Sequence, residues 1–145
     1  MEFIDRVIYA LTELHPIHPM FVHFPIALTG AAFLFILLAY WRNNPLLEGA
    51  AFANIALASL STLVAGYTGM IDNINTYEGS APNAGTKILL ALSLFILTTG
   101  ITIIRYRNPR LFQTANRLLY IGSYGLSFLI AVVLAFLGAI ILYGF

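Results

Sequence analysis

Residues 24–41 have the sequence FPIALTGAAFLFILLAYW and contain no charged side chain. The nearest charged residues on either side are Glu13 and Arg42, so all the residues between these two are uncharged. A helix needs about 20 apolar residues to cross a hydrocarbon core of about 30 Å. Because lipid offers no partner to an unpaired N–H or C=O, such a stretch must be helical. The sequence therefore predicts a membrane-spanning helix at about residues 19–41.

Three further stretches are long and apolar enough to span, at about residues 49–71, 85–105 and 118–143. Asn43-Asn44-Pro45 and Asn108-Pro109 lie between spans, where turn-forming residues are expected. No composition change marks a domain boundary, so residues 1–145 form one predicted membrane domain. The predicted fold class is all-α, an integral membrane four-helix bundle.

Composition supports a membrane protein and excludes several other classes. The chain is 60% hydrophobic and 9% charged, whereas about a quarter of a soluble domain's residues are charged. Seven Lys and Arg against six Asp and Glu cannot form the basic patch of a nucleic-acid-binding protein. The absence of cysteine excludes disulfides, zinc thiolate sites, iron–sulfur ligation and covalent c-type haem attachment by this chain.

The segment before the first span has an amphipathic pattern. Its apolar residues recur at helical spacing: Phe3, Ile4, Val7, Ile8, Leu11 and Leu14. Residues 1–16 are therefore predicted to form an interfacial amphipathic helix, either a surface anchor or a docking helix for a partner subunit. A cleaved signal peptide begins with a basic region, but this segment has Glu2 and Asp5 there. We therefore do not expect it to be a cleaved signal peptide.

Arginine and lysine counts predict the orientation. One side of the predicted bundle carries Arg42, Arg105, Arg107, Arg110 and Arg117, and the other carries Arg6 and Lys87. Because positive loops stay in the cytoplasm, both termini are predicted to be periplasmic, in a bacterial inner membrane.

Small residues recur every four positions in two spans. They are Ser61, Ala65 and Gly69 in the second span, and Ser123, Ser127, Ala131, Ala135 and Ala139 in the fourth. Small residues let helix backbones approach closely. This pattern predicts packing within the bundle, with a homodimer or a larger membrane complex as the alternatives.

All three histidines lie at the start of the first span, as His15-Pro16, His18-Pro19 and His23. Helical backbone geometry is disfavoured for a residue that precedes a proline, whereas proline itself is favourable as the first residue of a helix. Pro25 removes a helical hydrogen bond. We therefore expect the helix to start late, near Phe24, or to be kinked just below His23.

A carboxylate is predicted at the same level as these histidines. The second span ends with Gly69-Met70-Ile71-Asp72, and a carboxylate is unfavourable at a helix C-terminus. Asp72 is therefore expected to have a partner, for which Lys87, His18 and His23 are the candidates.

Four interpretations of the histidine cluster are open. The histidines could be interfacial without a ligand, or His18 or His23 could bind haem b. His15, His18 and His23 could hold copper or zinc, or His23 and Asp72 could serve a proton or quinone. Met20 and Met70 lie on the same predicted face and would suit Cu(I).

Helical geometry limits the haem interpretation. His18 and His23 would point about 140° apart at roughly 100° per residue. They therefore cannot easily bind one iron as its two axial ligands. The second axial ligand would be Met70 or a histidine of another subunit, unless the iron is five-coordinate.

Three motifs resemble those of the bacterial membrane protein family DUF2231 (a domain of unknown function). They are His18-Pro19, residues 22–28 (VHFPIAL) and residues 69–72 (GMID). The resemblance implies a four-span protein similar in architecture to small b-type cytochromes, and the Rieske-type domains joined to some members imply redox chemistry. Family members often carry another histidine near the start of the third span, where this chain has Asn83, Thr86 and Lys87.

We therefore predict electron transfer through a haem b or metal bound by His18 and His23, with Asp72 and Lys87 as supporting groups. Membrane quinol and a periplasmic protein would be the partners. The alternative is a non-catalytic accessory subunit of a respiratory or photosynthetic complex. We expect no independent catalytic activity. A transporter is disfavoured because the spans are expected to lack buried charge and show no inverted repeat.

Overall fold

The computed structural model describes residues 2–9 and 17–143, which are helical apart from short connections and contain no strand. The helices are α1 (Glu2–Tyr9), α2 (Ile17–Arg42), α3 (Pro45–Tyr77), α4 (Ala84–Arg107) and α5 (Arg117–Tyr143). One 3₁₀ turn, Leu111–Gln113, lies between α4 and α5. The four long helices have the length and composition to cross a membrane. The predicted all-α membrane bundle is therefore confirmed.

The four long helices form a closed ring. Both α2 and α4 pack against α3 and α5. Because short turns join consecutive helices, the helices alternate in direction. We call the end where α2 and α4 begin the histidine end. The opposite end, where α3 and α5 begin, is the arginine end.

The helix α3 is longer than the predicted second span. It begins at Pro45, where the Asn44 side chain accepts a 2.9 Å hydrogen bond from the amide of Leu46. It ends at Tyr77, before Glu78 adopts a left-handed φ of 49°. At 1.5 Å per residue, its 33 residues extend about 50 Å, well beyond the hydrocarbon core.

The expected late start of the first span is wrong. The helix α2 begins at Ile17 and continues through Pro25, so the chain around His23 is helical. Thr29 donates from Oγ1 to the carbonyls of Pro25 and Ile26 at 2.6 and 3.1 Å. The missing proline N–H is therefore accommodated inside a continuous helix.

Small residues allow close packing inside the ring. Ser127 and Ala131 of the predicted fourth-span stripe are buried in the bundle. Between α2 and α5, the Phe33 and Phe128 rings stack with centroids 6.2 Å apart. The Phe33 ring also covers Gly125. At these positions the small residues pack internally.

The helix α1 covers only part of the predicted interfacial segment. Its exposed apolar residues are Phe3, Ile4, Val7, Ile8 and Tyr9. They fit an amphipathic helix, and its position in the membrane interface stays a prediction. Residues 10–16, which include His15, lie outside the described residues.

Candidate functional site

His18 joins the start of α2 to the C-terminal part of α3, more than two turns before that helix ends. Its side chain is half-buried, and its Nδ1 lies 3.3 Å from Oγ1 of Thr68. The Thr68 hydroxyl lies 3.1 Å from the carbonyls of Val64 and Ala65 and donates to them. Because a hydroxyl has one proton, its oxygen accepts from Nδ1–H of His18. Nε2 of His18 then carries the lone pair.

Gly69 provides the space that the His18 ring occupies. A Cβ at position 69 would lie 2.8 Å from Cε1 of His18, which is shorter than any normal contact. The His18-Pro19 motif of the first span and the glycine of residues 69–72 are thus in direct contact. With the imidazole in this position, any side chain at residue 69 would force the ring to shift.

Two charged side chains complete this end of the bundle. Asp72 and Lys87 both lie within electrostatic range of the His18 ring. Asp72 does not end its helix as expected, because α3 continues to Tyr77. The macrodipole argument for a partner therefore fails. Asp72 instead follows Thr68 by one turn, which places both residues on the helix face that meets His18.

His23 is directed differently from His18. Its side chain is exposed, and its Nδ1 donates to the carbonyl of Pro19 over 2.6 Å. Since a carbonyl only accepts, Nδ1 of His23 carries a proton, and in the neutral ring the lone pair is on Nε2. Five residues apart on one continuous helix, His18 and His23 point about 140° apart. The structure does not bring the two imidazoles together.

The two methionines are exposed at the same end. Met20 is three residues before His23 on α2, so these side chains are neighbours on the helix surface. Met70 follows Gly69 on α3 and is rotated about 100° from the position that faces His18. Within residues 2–9 and 17–143, no three His, Asp or Glu side chains form a group that could hold a metal.

Sequence reasoning missed a buried carboxylate at the arginine end. Glu48, in the first turn of α3, is only 4% exposed. Nε and Nη2 of Arg105 donate to its two oxygens over 2.6 and 2.7 Å. The expectation that the spans lack buried charge is therefore wrong. The ion pair joins α3 to α4.

Two tyrosines of α5 extend this network. The Tyr120 hydroxyl donates to Oε1 of Glu48 over 2.9 Å, so its oxygen accepts from Tyr124 at 2.8 Å. The Tyr124 side chain is fully buried. Tyr120 also faces the inside of the bundle, where Glu48 accepts its hydrogen bond.

A signal for this network was present in the sequence. Asn44-Pro45 is an N-cap followed by a favourable first helical residue, which starts α3 before Glu48. Arg105 lies at the same end of the neighbouring helix, and Tyr120 and Tyr124 are spaced by one turn.

The chain belongs to the DUF2231 family, described as a predicted membrane protein, because the family model matches residues 14–144. The predicted membership of this family is thereby confirmed. No curated protein and no solved structure matches the chain.

Proposed function

We propose that this protein binds haem b or copper through His23 and passes electrons between membrane quinol and a partner protein. The observation that carries the proposal is the 2.6 Å hydrogen bond from Nδ1 of His23 to the carbonyl of Pro19. Histidines that bind metals commonly donate their other ring N–H to a backbone carbonyl, which fixes the tautomer. Nε2 of the exposed His23 is then free to act as a ligand.

The position of His23 favours a cofactor at the surface of the bundle. Its side chain is exposed and its neighbour Met20 is 55% exposed. Imidazole and thioether together suit Cu(I), and imidazole alone suits haem iron. The bound metal would supply one-electron chemistry, while this chain would orient the imidazole. A partner subunit or a second copy would contribute the remaining ligands.

His18 is the second candidate ligand. Its Nδ1 bonds to Thr68, which leaves the lone pair of the neutral ring on Nε2, and Asp72 and Lys87 lie within electrostatic range. Its ring occupies the space that Gly69 leaves open. Asp72 would act as a positioning group for His18 in this proposal, and a quinone would bind near these two side chains.

Absorption spectroscopy with metal analysis of the detergent-purified protein tests the proposal. We expect a Soret band that shifts on dithionite reduction, or bound copper. His23→Ala should abolish cofactor binding, whereas His18→Ala should reduce it less. Asp72→Asn should shift affinity or redox potential. Unchanged cofactor content in His23→Ala would exclude that residue as a ligand.

A non-catalytic accessory subunit is the second candidate function. It is favoured by the use of His18 in helix packing and by the lack of a three-ligand group among the described residues. In this case the purified protein would be colourless and free of metal. It would also be stable only together with other subunits of a respiratory or photosynthetic complex.

The proposed location is a bacterial inner membrane with the histidine end in the periplasm. The arginine end carries Arg42, Arg105, Arg107, Arg110 and Arg117. Lys87 is at the opposite end, and positively charged loops face the cytoplasm.

A further inference from the structure

A groove of about 470 Å³ lies between α4 and α5 and reaches the arginine end. On α4 its wall runs from Ile96 to Ile104, with Gly100 between them. A Cβ at Gly100 would meet nothing within 4 Å, so this glycine leaves the groove open. Eight residues of helix correspond to about 12 Å along the membrane normal.

The mouth of the groove contains the polar side chain of Asn116 and is flanked by positive charge. Asn116 and Leu111 line it beside the turn between α4 and α5. Arg110 directly precedes Leu111, and Arg107 lies three residues after Ile104, on the same side of α4. Both arginines are exposed. The groove thus combines an apolar lining with two positively charged side chains at its entrance.

The charge at this end is not balanced by the protein. Among the described residues, Glu48 is the only carboxylate at the arginine end, and Arg105 already pairs with it. Arg117 stacks on the rings of Tyr40 and Phe112. The guanidinium groups of Arg107 and Arg110 form no hydrogen bond or ion pair within the part of the chain that the structure describes.

We propose that this groove binds an anionic phospholipid, with one acyl chain against Gly100 and the phosphate held by Arg107 and Arg110. Arginine pairs with phosphate through charge-assisted hydrogen bonds. Basic pockets between membrane helices are known to recognise anionic headgroups. Because Tyr120 also lines the groove, the bound lipid would cover the side chain that bonds to Glu48.

Native mass spectrometry of the full chain in detergent tests this, using phosphatidylglycerol and phosphatidylcholine with identical acyl chains. We expect phosphatidylglycerol to be retained preferentially. Arg107→Gln and Arg110→Gln should each weaken its binding roughly fivefold. They should weaken phosphatidylcholine less, because its choline group already neutralises the phosphate charge. Gly100→Leu, which fills the channel, should reduce retention of both lipids.

Two matched variants serve as controls. Gly122→Leu adds the same side chain at an open position that does not line the groove. Arg42→Gln removes an exposed arginine from the same end of the bundle. Equal retention of the two lipids, or an equal effect of Arg42→Gln, would overturn the proposal in favour of diffuse attraction. A dimer that dissociates in Gly100→Leu, with no lipid bound to the native protein, would assign the groove to a second copy instead.

Discussion

At the scale of single residues, Gly69 is the position where one added methyl group has the clearest consequence. In Gly69→Ala the new Cβ would lie 2.8 Å from the His18 ring, so the ring must leave its position beside Thr68. We expect a loss of about 1–3 kcal/mol in the free energy of unfolding. Denaturant titration of the detergent-solubilised protein, followed by circular dichroism, measures this loss.

Gly66→Ala is the matched control, since a Cβ there meets nothing within 4 Å. Its effect should stay within about 1 kcal/mol. In a His18→Ala background the cost of Gly69→Ala should nearly vanish. If that cost persists without the imidazole, the glycine is required for another reason.

The ion pair of Glu48 and Arg105 gives a second prediction at this scale. Glu48→Gln leaves the partly buried guanidinium of Arg105 without its counter-ion. Breaking a fully buried pair typically costs about 3–5 kcal/mol, so we expect a loss at the lower end of that range. The double variant Glu48→Gln/Arg105→Met removes the orphaned charge and should recover much of that loss. The same denaturant titration compares the two variants. Glu78→Gln, at an exposed position, should change stability by less than about 0.5 kcal/mol.

The two tyrosines of this network should differ in importance. The Tyr120 hydroxyl makes two hydrogen bonds, to Glu48 and Tyr124. Tyr120→Phe leaves the buried Tyr124 hydroxyl without an acceptor, at a cost of about 1–3 kcal/mol. Tyr124→Phe should cost less in the free energy of unfolding. The double variant should be no less stable than Tyr120→Phe alone. A larger effect of Tyr124→Phe would contradict the assigned donor order.

At the scale of helices, the sequence predicts the spans well and their ends poorly. A long stretch without charged residues identifies a membrane span, because a charged side chain is costly in lipid. By this criterion the second span begins after Glu48. The rule fails at that boundary because Arg105 neutralises the carboxylate within the bundle. Likewise, the predicted late start near Phe24 does not occur, since one missing hydrogen bond does not interrupt a long apolar helix held by α3 and α5.

The contact between α2 and α5 supports a prediction about helix packing. A Cβ at Gly125 would lie 3.0 Å from the Phe33 ring. Gly125→Leu should therefore force the helices apart and destabilise the protein by about 1–3 kcal/mol. Gly122→Leu, nearly one turn earlier on α5 and in open space, should be tolerated. Thermal unfolding in the same detergent compares them. Equal melting temperatures would mean that the two helices do not pack through Gly125.

At the scale of the whole molecule, the candidate site was predictable in part. Because consecutive helices alternate in direction, the segments around His18 and Asp72 lie at the same end of the bundle. The number and order of the spans are enough to predict this. The divergence of His18 and His23 follows from helical geometry once α2 is continuous. The Thr68 and Gly69 contacts depend on the rotation of α3 about its axis, which span counting does not determine.

The orientation of the bundle can be tested directly because the chain contains no cysteine. Ser80→Cys places a single thiol in the exposed connection at the histidine end, and Gln113→Cys places one in the exposed turn at the arginine end. The unbalanced arginines should retain the second end in the cytoplasm. A membrane-impermeant maleimide added to intact spheroplasts should therefore label Ser80→Cys alone, and lysis should expose Gln113→Cys. The reverse labelling pattern would place the histidine end in the cytoplasm and exclude electron transfer to a periplasmic protein at His23. Partial labelling of both variants before lysis would indicate insertion in two orientations.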